Sequence, residues 1–176
     1  GFIMINVSQP IRNIALVASP GSGKTLLSEA LVYTANAIDS MGSSIKGNTL
    51  SDFELEEIHR HHSISSSLLQ FNWKGTQINL IDTPGTIDFF SDVKACLGAV
   101  DGVVLVVDAS HGVKSELEKA WEHIQILELP CLLFMTGLDK ERTDVAVTIA
   151  ECRTSMGSMV VPLSLPLDHE SHLSGV

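Results

Sequence analysis

The sequence predicts a three-layer α/β/α fold built on a mainly parallel sheet with one antiparallel edge strand. Segments that are apolar throughout alternate with segments whose apolar residues recur at helical spacing, as in a parallel sheet covered on both faces. The dipeptide Lys74-Gly75 joins two neighbouring strand-like segments, and such a tight turn predicts a hairpin. At 176 residues, the chain has about the length of one domain with a single sizeable core.

The predicted elements follow in order along the chain. The first strand, IRNIALVA, spans residues 11–18, and a turn rich in Gly and Ser separates it from the helix-like TLLSEALVYTANAI. A long polar loop is predicted over residues 39–60, followed by the hairpin strands SISSSLLQFNW and TQINLID. Helices and strands then alternate: SDVKACLGA, GVVLVVDA, VKSELEKAWEHIQIL, LPCLLFMTG and TDVAVTIAECRTSM. The tail has no helical period, so no element is predicted there.

The composition excludes several classes of protein. The formal net charge is −10, which argues against binding nucleic acid through this chain's own surface, because phosphate contacts need Lys and Arg. Three cysteines without a CxxC pair predict free thiols, not a disulfide framework or a zinc site. No apolar run reaches the roughly 20 residues of a membrane span. The N-terminus lacks the features of a signal peptide, and together these observations predict a cytoplasmic protein.

The strongest local signal is ASPGSGKT at residues 18–25, which stands between a predicted strand and a predicted helix. Gly21 and Gly23 can adopt positive φ, so that successive main-chain N–H groups converge on phosphate oxygens. The following helix adds its N-terminal dipole. Lys24 can reach the terminal phosphates, and the Thr25 hydroxyl can coordinate Mg²⁺. This pattern predicts a P-loop NTPase fold. The candidate phosphate-binding residues are Ser19, Pro20, Gly21, Ser22, Gly23, Lys24 and Thr25.

A second motif, Asp-Thr-Pro-Gly at residues 82–85, follows the second strand of the hairpin. The carboxylate of Asp82 is placed to bind Mg²⁺, usually through water, and the N–H of Gly85 is placed to sense the terminal phosphate. If residues 18–25 were only an incidental Gly/Ser loop between a strand and a helix, the presence of this second motif would have no explanation. A P-loop kinase or ATPase also remains open, but it does not explain why this motif and Asp139 occur in this order.

These segments resemble the nucleotide-binding domain of the translational GTPases, and most of all that of elongation factor G. The resemblance covers residues 11–167 and is carried by IRNIALVASPGSGKTLLSEALVY, FNWKGTQINLIDTPGTIDFFSDV, VDGVVLVVDASHGVKSE and RTSMGSMVVPLSLPL. It implies GTP or GDP and Mg²⁺ as ligands, a monomeric domain, and the ribosome as partner of a longer factor. It also implies an N-terminal extension at residues 1–10, a GTP-binding domain at 11–163 without the fifth guanine-binding element, and the start of an inserted subdomain or linker at 164–176.

The resemblance further implies roles for two residues near the terminal phosphate. Ser63 stands where the family has the threonine that binds Mg²⁺ and that phosphate, and serine keeps the hydroxyl. Thr86 stands where the family has its catalytic histidine, and Lys24 and Gly85 are the other candidate catalytic residues. Because threonine cannot position the attacking water as histidine does, hydrolysis is expected to be slowed, by about 10²–10⁴-fold.

The guanine-binding motif of the family, Asn-Lys-x-Asp, appears here as residues 136–139, Thr-Gly-Leu-Asp. Asp139 keeps the carboxylate that accepts the two guanine N–H bonds, although it could instead cap the helix predicted near Thr143. Thr136 and Gly137 lack the family's amide and lysine stem, which predicts weaker and less selective binding. Gly21 likewise lacks the aspartate that the family tends to carry, which puts any monovalent-ion contribution there in doubt.

Two other clusters suggest less specific roles. The histidines at residues 59–62 could form part of a metal site but lack further ligands at suitable spacing, so a mobile switch segment is favoured. Glu54, Glu56 and Glu57 are most simply a solvated face. The leading functional hypothesis is a GTP switch of the elongation factor G type that couples GTP binding and hydrolysis to ribosomal translocation. The alternative is a divergent nucleotide-binding switch or ribosome-docking module with little or no GTPase activity.

Overall fold

The central sheet has five strands in the order β2-β3-β1-β4-β5. The computed structural model describes residues 9–42, 66–85, 90–140, 143–169 and 172–175. The main sheet consists of β1 (Ile11–Ala18), β2 (Ser67–Trp73), β3 (Thr76–Asp82), β4 (Gly102–Asp108) and β5 (Cys131–Thr136). Within it, β1, β3, β4 and β5 pair in parallel, and β2 pairs antiparallel with β3 at the edge. The predicted mainly parallel sheet with one antiparallel edge strand is confirmed.

Helices cover both faces of this sheet, which confirms the three predicted layers. The described helices are α1 (Lys24–Thr34), α2 (Phe90–Leu97), α3 (Ser115–Ile126) and α4 (Val145–Met156). On one face, Val32 of α1 packs in a cluster with Leu16 and Leu80. On the other face, a larger cluster joins the strands to α2, α3 and α4 and includes Leu105 and Leu117.

The central strands β1 and β4 are apolar along residues 15–18 and 103–107, where both of their faces are largely buried. Successive side chains of a strand point to opposite sides of the sheet, and Ala15 and Leu16 of β1 are each 0% exposed. Leu105, Val106 and Val107 of β4 are buried to the same degree. The continuous apolar runs of the sequence therefore mark the two strands at the centre of the domain.

The strand order creates a topological switch point between β1 and β4. From β1 the chain continues to β2 and β3 on one side, and from β4 it continues to β5 on the other side. In open α/β sheets, ligands bind in the crevice outside the carboxyl ends of the strands at such a point. Residue pairing aligns Leu16 with Asp82 and Asp108 with Thr136. All the predicted phosphate and base motifs that the structure describes therefore leave the sheet at one edge.

Two elements differ from the sequence prediction. Helix α1 ends at Thr34, although the apolar pattern continued to Ile38, because Asn36 takes a positive φ of 55°. The tail forms a separate antiparallel pair, β6 (Leu167–His169) and β7 (His172–Gly175), where no element was predicted. None of the helices in the described ranges combines the length and the apolarity needed to cross a bilayer.

Candidate nucleotide-binding site

The loop between β1 and α1 has the backbone conformation that the glycine pattern predicts. Gly21 and Gly23 lie at φ 76° and 81°, a region that glycine enters without steric cost. Gly23 also precedes the first residue of α1, and its carbonyl accepts a hydrogen bond from the N–H of Leu27 at 2.9 Å. The first N–H groups of a helix have no intrahelical acceptor, so the start of α1 offers donors and a positive dipole end to a phosphate.

Lys24 and Asp82, both predicted site residues, come together at this point. The ammonium of Lys24 contacts the Asp82 carboxylate, and the two residues are 7% and 1% exposed. The hydroxyl of Ser28 lies 3.4 Å from the other oxygen of Asp82 and donates to the carbonyl of Thr25 at 2.8 Å. Desolvating two charges is costly unless their geometry is favourable. The buried pair therefore indicates a site at which Lys24 can bind an anionic ligand and Asp82 can bind a cation.

The second motif packs directly on the phosphate-binding loop. A Cβ added at Gly85 would lie 3.2 Å from the backbone N of Pro20 and 3.3 Å from the carbonyl oxygen of Ala18. The buried Thr83 holds this approach in place, since its hydroxyl donates to the carbonyl of Leu16 at 2.7 Å. Glycine at position 85 thus permits the close approach of two backbones. A shift of residues 82–85 would therefore displace the phosphate-binding loop, which they contact.

The predicted base-binding residues connect to the same loop. The Thr136 hydroxyl donates to the carbonyl of Ser22 at 2.7 Å, so the end of β5 is tied to the phosphate-binding loop. Asp139 lies exposed in the turn that follows. The cap of α4 is Asp144, whose carboxylate accepts from the N–H of Val147 at 3.1 Å. The alternative role of Asp139 as that cap is therefore wrong.

Asp108, at the end of β4, was not singled out from the sequence. One of its carboxylate oxygens accepts from the Ser110 N–H and hydroxyl at 3.0 and 2.6 Å, and the other accepts from Lys140 at 2.7 Å and from His111 at 3.1 Å. Burial acts to raise the pKa of Asp108, but the hydrogen bonds from Lys140, Ser110 and His111 hold that pKa well below its usual range. A charged residue ending an apolar strand at the switch point is the signal that could have identified it.

A cavity of ≈ 200 Å³ lies between the phosphate-binding loop and the loop after β4. Asp108, His111 and Lys114 contribute to its wall on one side. Ser19 and Ser22 line the other side, and their buried hydroxyls find no hydrogen-bond partner among the described residues. The crevice expected at the β1/β4 switch point is therefore present and polar at its rim.

The predicted Mg²⁺ ligands fit that ion by chemistry where the structure describes them. Thr25 offers a hydroxyl and Asp82 a carboxylate, and oxygen ligands of these kinds suit Mg²⁺. Ser63 and Thr86 lie outside the described residues, as do the histidines and glutamates of residues 54–62. In the described ranges, no group of three or more His, Cys, Asp or Glu side chains could hold a metal.

The three cysteines are free thiols, as predicted. Desolvation by burial raises the pKa of the Cys131 thiol to about 11. Burial is also the largest cause of the raised pKa of Cys152. Both thiols are therefore protonated at neutral pH. They are poor nucleophiles and metal ligands in that form, because only the thiolate acts in those roles.

Comparison with known proteins agrees with this geometry. The sequence profile described as "Elongation factor Tu GTP binding domain" matches residues 9–164. The chain is 38% identical over 166 residues to "Ribosome-releasing factor 2, mitochondrial" of Anopheles gambiae, covering 94% of this chain and 22% of that protein. It is 31% identical over 166 residues to "Elongation factor G 2" of Borreliella burgdorferi, covering 94% of this chain and 25% of that protein.

A solved structure shows the same arrangement of elements. A crystal structure of a protein from Thermus thermophilus superposes with a TM-score of 0.88 at 32% identity, covering 94% of this chain and 25% of that chain. This chain spans about a quarter of the length of the curated relatives it matches. The similarity therefore concerns one domain of those proteins.

Proposed function

This chain belongs to the elongation factor Tu GTP-binding domain family, and we propose that it is the switch of a factor whose GTP binding and hydrolysis drive ribosomal translocation. Membership confirms the resemblance to translational GTPases, and the relatives confirm its elongation factor G-like character. The observation that supports this proposal most directly is the buried contact of Lys24 with Asp82 at the end of a glycine-rich turn. It supports a site that holds the charge of a nucleotide and its metal.

The family is one of GTPases, so guanine nucleotide is the ligand class. We assign the phosphates to residues 19–25 and Gly85, and the base to residues 136, 137 and 139. Thr25, Ser63 and Asp82 would hold Mg²⁺, which supplies charge neutralisation at the phosphates. When a nucleotide enters, its phosphates compete with Asp82 for the ammonium of Lys24. The buried pair therefore supplies both a phosphate ligand and a metal ligand from one contact.

The names of the relatives support the ribosome as partner of the whole factor. They favour a translation factor over the alternative of a module with little or no GTPase activity. We place the protein in a compartment that contains ribosomes, which the sequence predicts to be the cytoplasm, while the Anopheles relative is named as mitochondrial. We further propose that the domain acts as a monomer and makes no direct contact with nucleic acid, in keeping with its net charge of −10.

Replacing Thr86 with histidine is expected to accelerate GTP hydrolysis. Threonine does not titrate near neutral pH and is too short to orient the attacking water, so the variant should gain about 10²–10⁴-fold in rate. Single-turnover hydrolysis of GTP by the full-length protein and its Thr86→His variant, each with and without ribosomes, measures this gain. Thr86→Ser is the matched control and should hydrolyse GTP at the wild-type rate.

The same assay tests the proposed function. Wild-type protein should release phosphate faster with saturating ribosomes than without them. Release that stays at background for wild type and Thr86→His would contradict a role as a ribosome-driven switch. An equal rate for wild type and Thr86→His, with stimulation intact, would show that another residue positions the water.

A further inference from the structure

We propose that Lys140, held in place by Asp108, forms the surface on which the base of the bound nucleotide rests. This inference depends on the proposed guanine-nucleotide site and assigns it a residue that the four-residue motif at 136–139 does not contain. It makes Lys140 a residue that determines affinity for the base, while the phosphates are bound elsewhere.

The ammonium of Lys140 is fixed at its end. Its Nζ lies 2.7 Å from Oδ2 of Asp108 and 3.4 Å from the hydroxyl of Ser110. Asp108 is almost fully buried, with 8% of its side chain exposed, whereas Lys140 keeps 46% of its side chain exposed. A surface lysine normally samples many rotamers, but here the anchored ammonium holds the methylene stem across the top of the sheet. Because the side chain is anchored and about half exposed, we take its stem as a fixed apolar strip at the surface.

This strip lies over Gly137. The N–H of Lys140 donates to the carbonyl of Gly137 at 3.2 Å, which closes the turn. A Cβ added at Gly137 would lie 3.3 Å from Cδ of Lys140 and 2.5 Å from Oδ1 of Asp108. That oxygen is itself held by the N–H and hydroxyl of Ser110, so it cannot move aside cheaply. The space that a side chain at position 137 would take is already filled.

The strip is also positioned relative to the phosphate-binding loop. Thr136 precedes Gly137 and donates to the carbonyl of Ser22 at 2.7 Å. Pairing of Asp108 with Thr136 fixes β4 and β5 at the same level. A nucleotide with its phosphates in the loop and its base at residues 136, 137 and 139, as assigned above, would extend along this edge of the sheet. A purine ring packs favourably on an aliphatic stem and is attracted to a nearby ammonium.

From the family motif alone, a lysine at position 137 would be expected to strengthen binding of the base, but the geometry predicts the opposite. Restoring the family's lysine at position 137 should weaken binding, because its Cβ would collide with Asp108 and its stem would displace Lys140. A φ of 69° at Gly137 adds backbone strain for any other residue. Conversely, shortening Lys140 should remove the packing surface and leave the phosphate contacts intact.

The test measures binding of Mg·GDP and of inorganic tripolyphosphate, which lacks a base, by calorimetry. We expect Lys140→Ala and Gly137→Lys each to weaken GDP binding by about tenfold, which corresponds to about 1.4 kcal/mol. Tripolyphosphate binding should change by less than about twofold, since a base contact contributes nothing there. Lys119→Ala, which removes an exposed lysine from α3, is the control for the loss of one positive charge and should bind both ligands like wild type.

The outcomes separate the inference from the function on which it rests. GDP affinity unchanged in Lys140→Ala, or tightened in Gly137→Lys, would overturn the role of Lys140 while leaving nucleotide binding intact. An equal loss for both ligands in Lys140→Ala would also overturn it, because the effect would then be charge or folding. Wild-type protein that binds neither ligand would overturn the proposed function itself. Thermal unfolding of each variant identifies any that fail to fold, and Lys140→Ala keeps the test decisive if Gly137→Lys is one of them.

Discussion

Replacing Lys24 with methionine is expected to weaken nucleotide binding severely and to destabilise the domain. The change leaves the Asp82 carboxylate, 1% exposed, without the ammonium that it contacts. Breaking a buried ion pair by removing one partner costs about 3–5 kcal/mol. The lost charge-assisted contacts to phosphate should lower affinity for Mg·GTP by at least about 100-fold. Urea unfolding measures the first effect and calorimetric titration the second.

A double variant separates the two effects. Adding Asp82→Asn to Lys24→Met removes the buried charge, so most of the lost stability should return, because an uncharged amide needs no counter-ion. Nucleotide binding should not return, because the phosphate-binding ammonium is still missing. If Lys24→Met unfolds at the same urea concentration as wild type, the contact is not the desolvated pair described here.

Replacing Gly85 with alanine is expected to weaken GTP binding more than GDP binding. The new methyl group would lie 3.2–3.3 Å from backbone atoms of Ala18 and Pro20. Ala18 ends β1 and Pro20 lies in the packed loop after it, so we expect these atoms to yield only slightly. The two loops must then separate by a few tenths of an ångström, and the N–H of residue 85 moves away from the terminal phosphate. We expect about a tenfold loss for GTP and less than about threefold for GDP in fluorescence titrations.

The control for this variant is Gly98→Ala, at which an added Cβ meets the carbonyl of Ala95 at an ordinary 3.5 Å. It should bind both nucleotides like wild type. Equal losses of GTP and GDP affinity in Gly85→Ala would indicate that residue 85 supports the loop as a whole and does not respond to the terminal phosphate.

Features that depend on local sequence were predictable. The turn at residues 18–25 is set by its own glycines, and Gly21 and Gly23 take the positive φ expected of them. The central strands could be recognised in the sequence because burial on both faces leaves residues 15–18 of β1 and 103–107 of β4 apolar. The contact of Lys24 with Asp82 joins residues 58 positions apart, yet it was foreseeable because each belongs to a motif with a known role.

Contacts that depend on strand register were not predictable in this way. Asp108 and Lys140 are 32 positions apart, and their meeting requires β4 and β5 to pair so that Asp108 lies opposite Thr136. The motifs named in the sequence analysis assign no role to either residue. The family motif therefore shows that the lysine at position 137 is absent, but it does not show that Lys140 fills the same space. The β6–β7 pair was missed because its strands are only three and four residues long, too short for a periodic pattern.

The most direct measurement is calorimetric titration of the folded domain with GDP, GTP and ATP in the presence of Mg²⁺. The site described here predicts one guanine nucleotide bound per chain, with ATP bound at least about tenfold more weakly because Asp139 accepts the guanine N–H groups. Well-folded protein that gives no heat with either guanine nucleotide, or that binds ATP more tightly than GTP, would contradict the account.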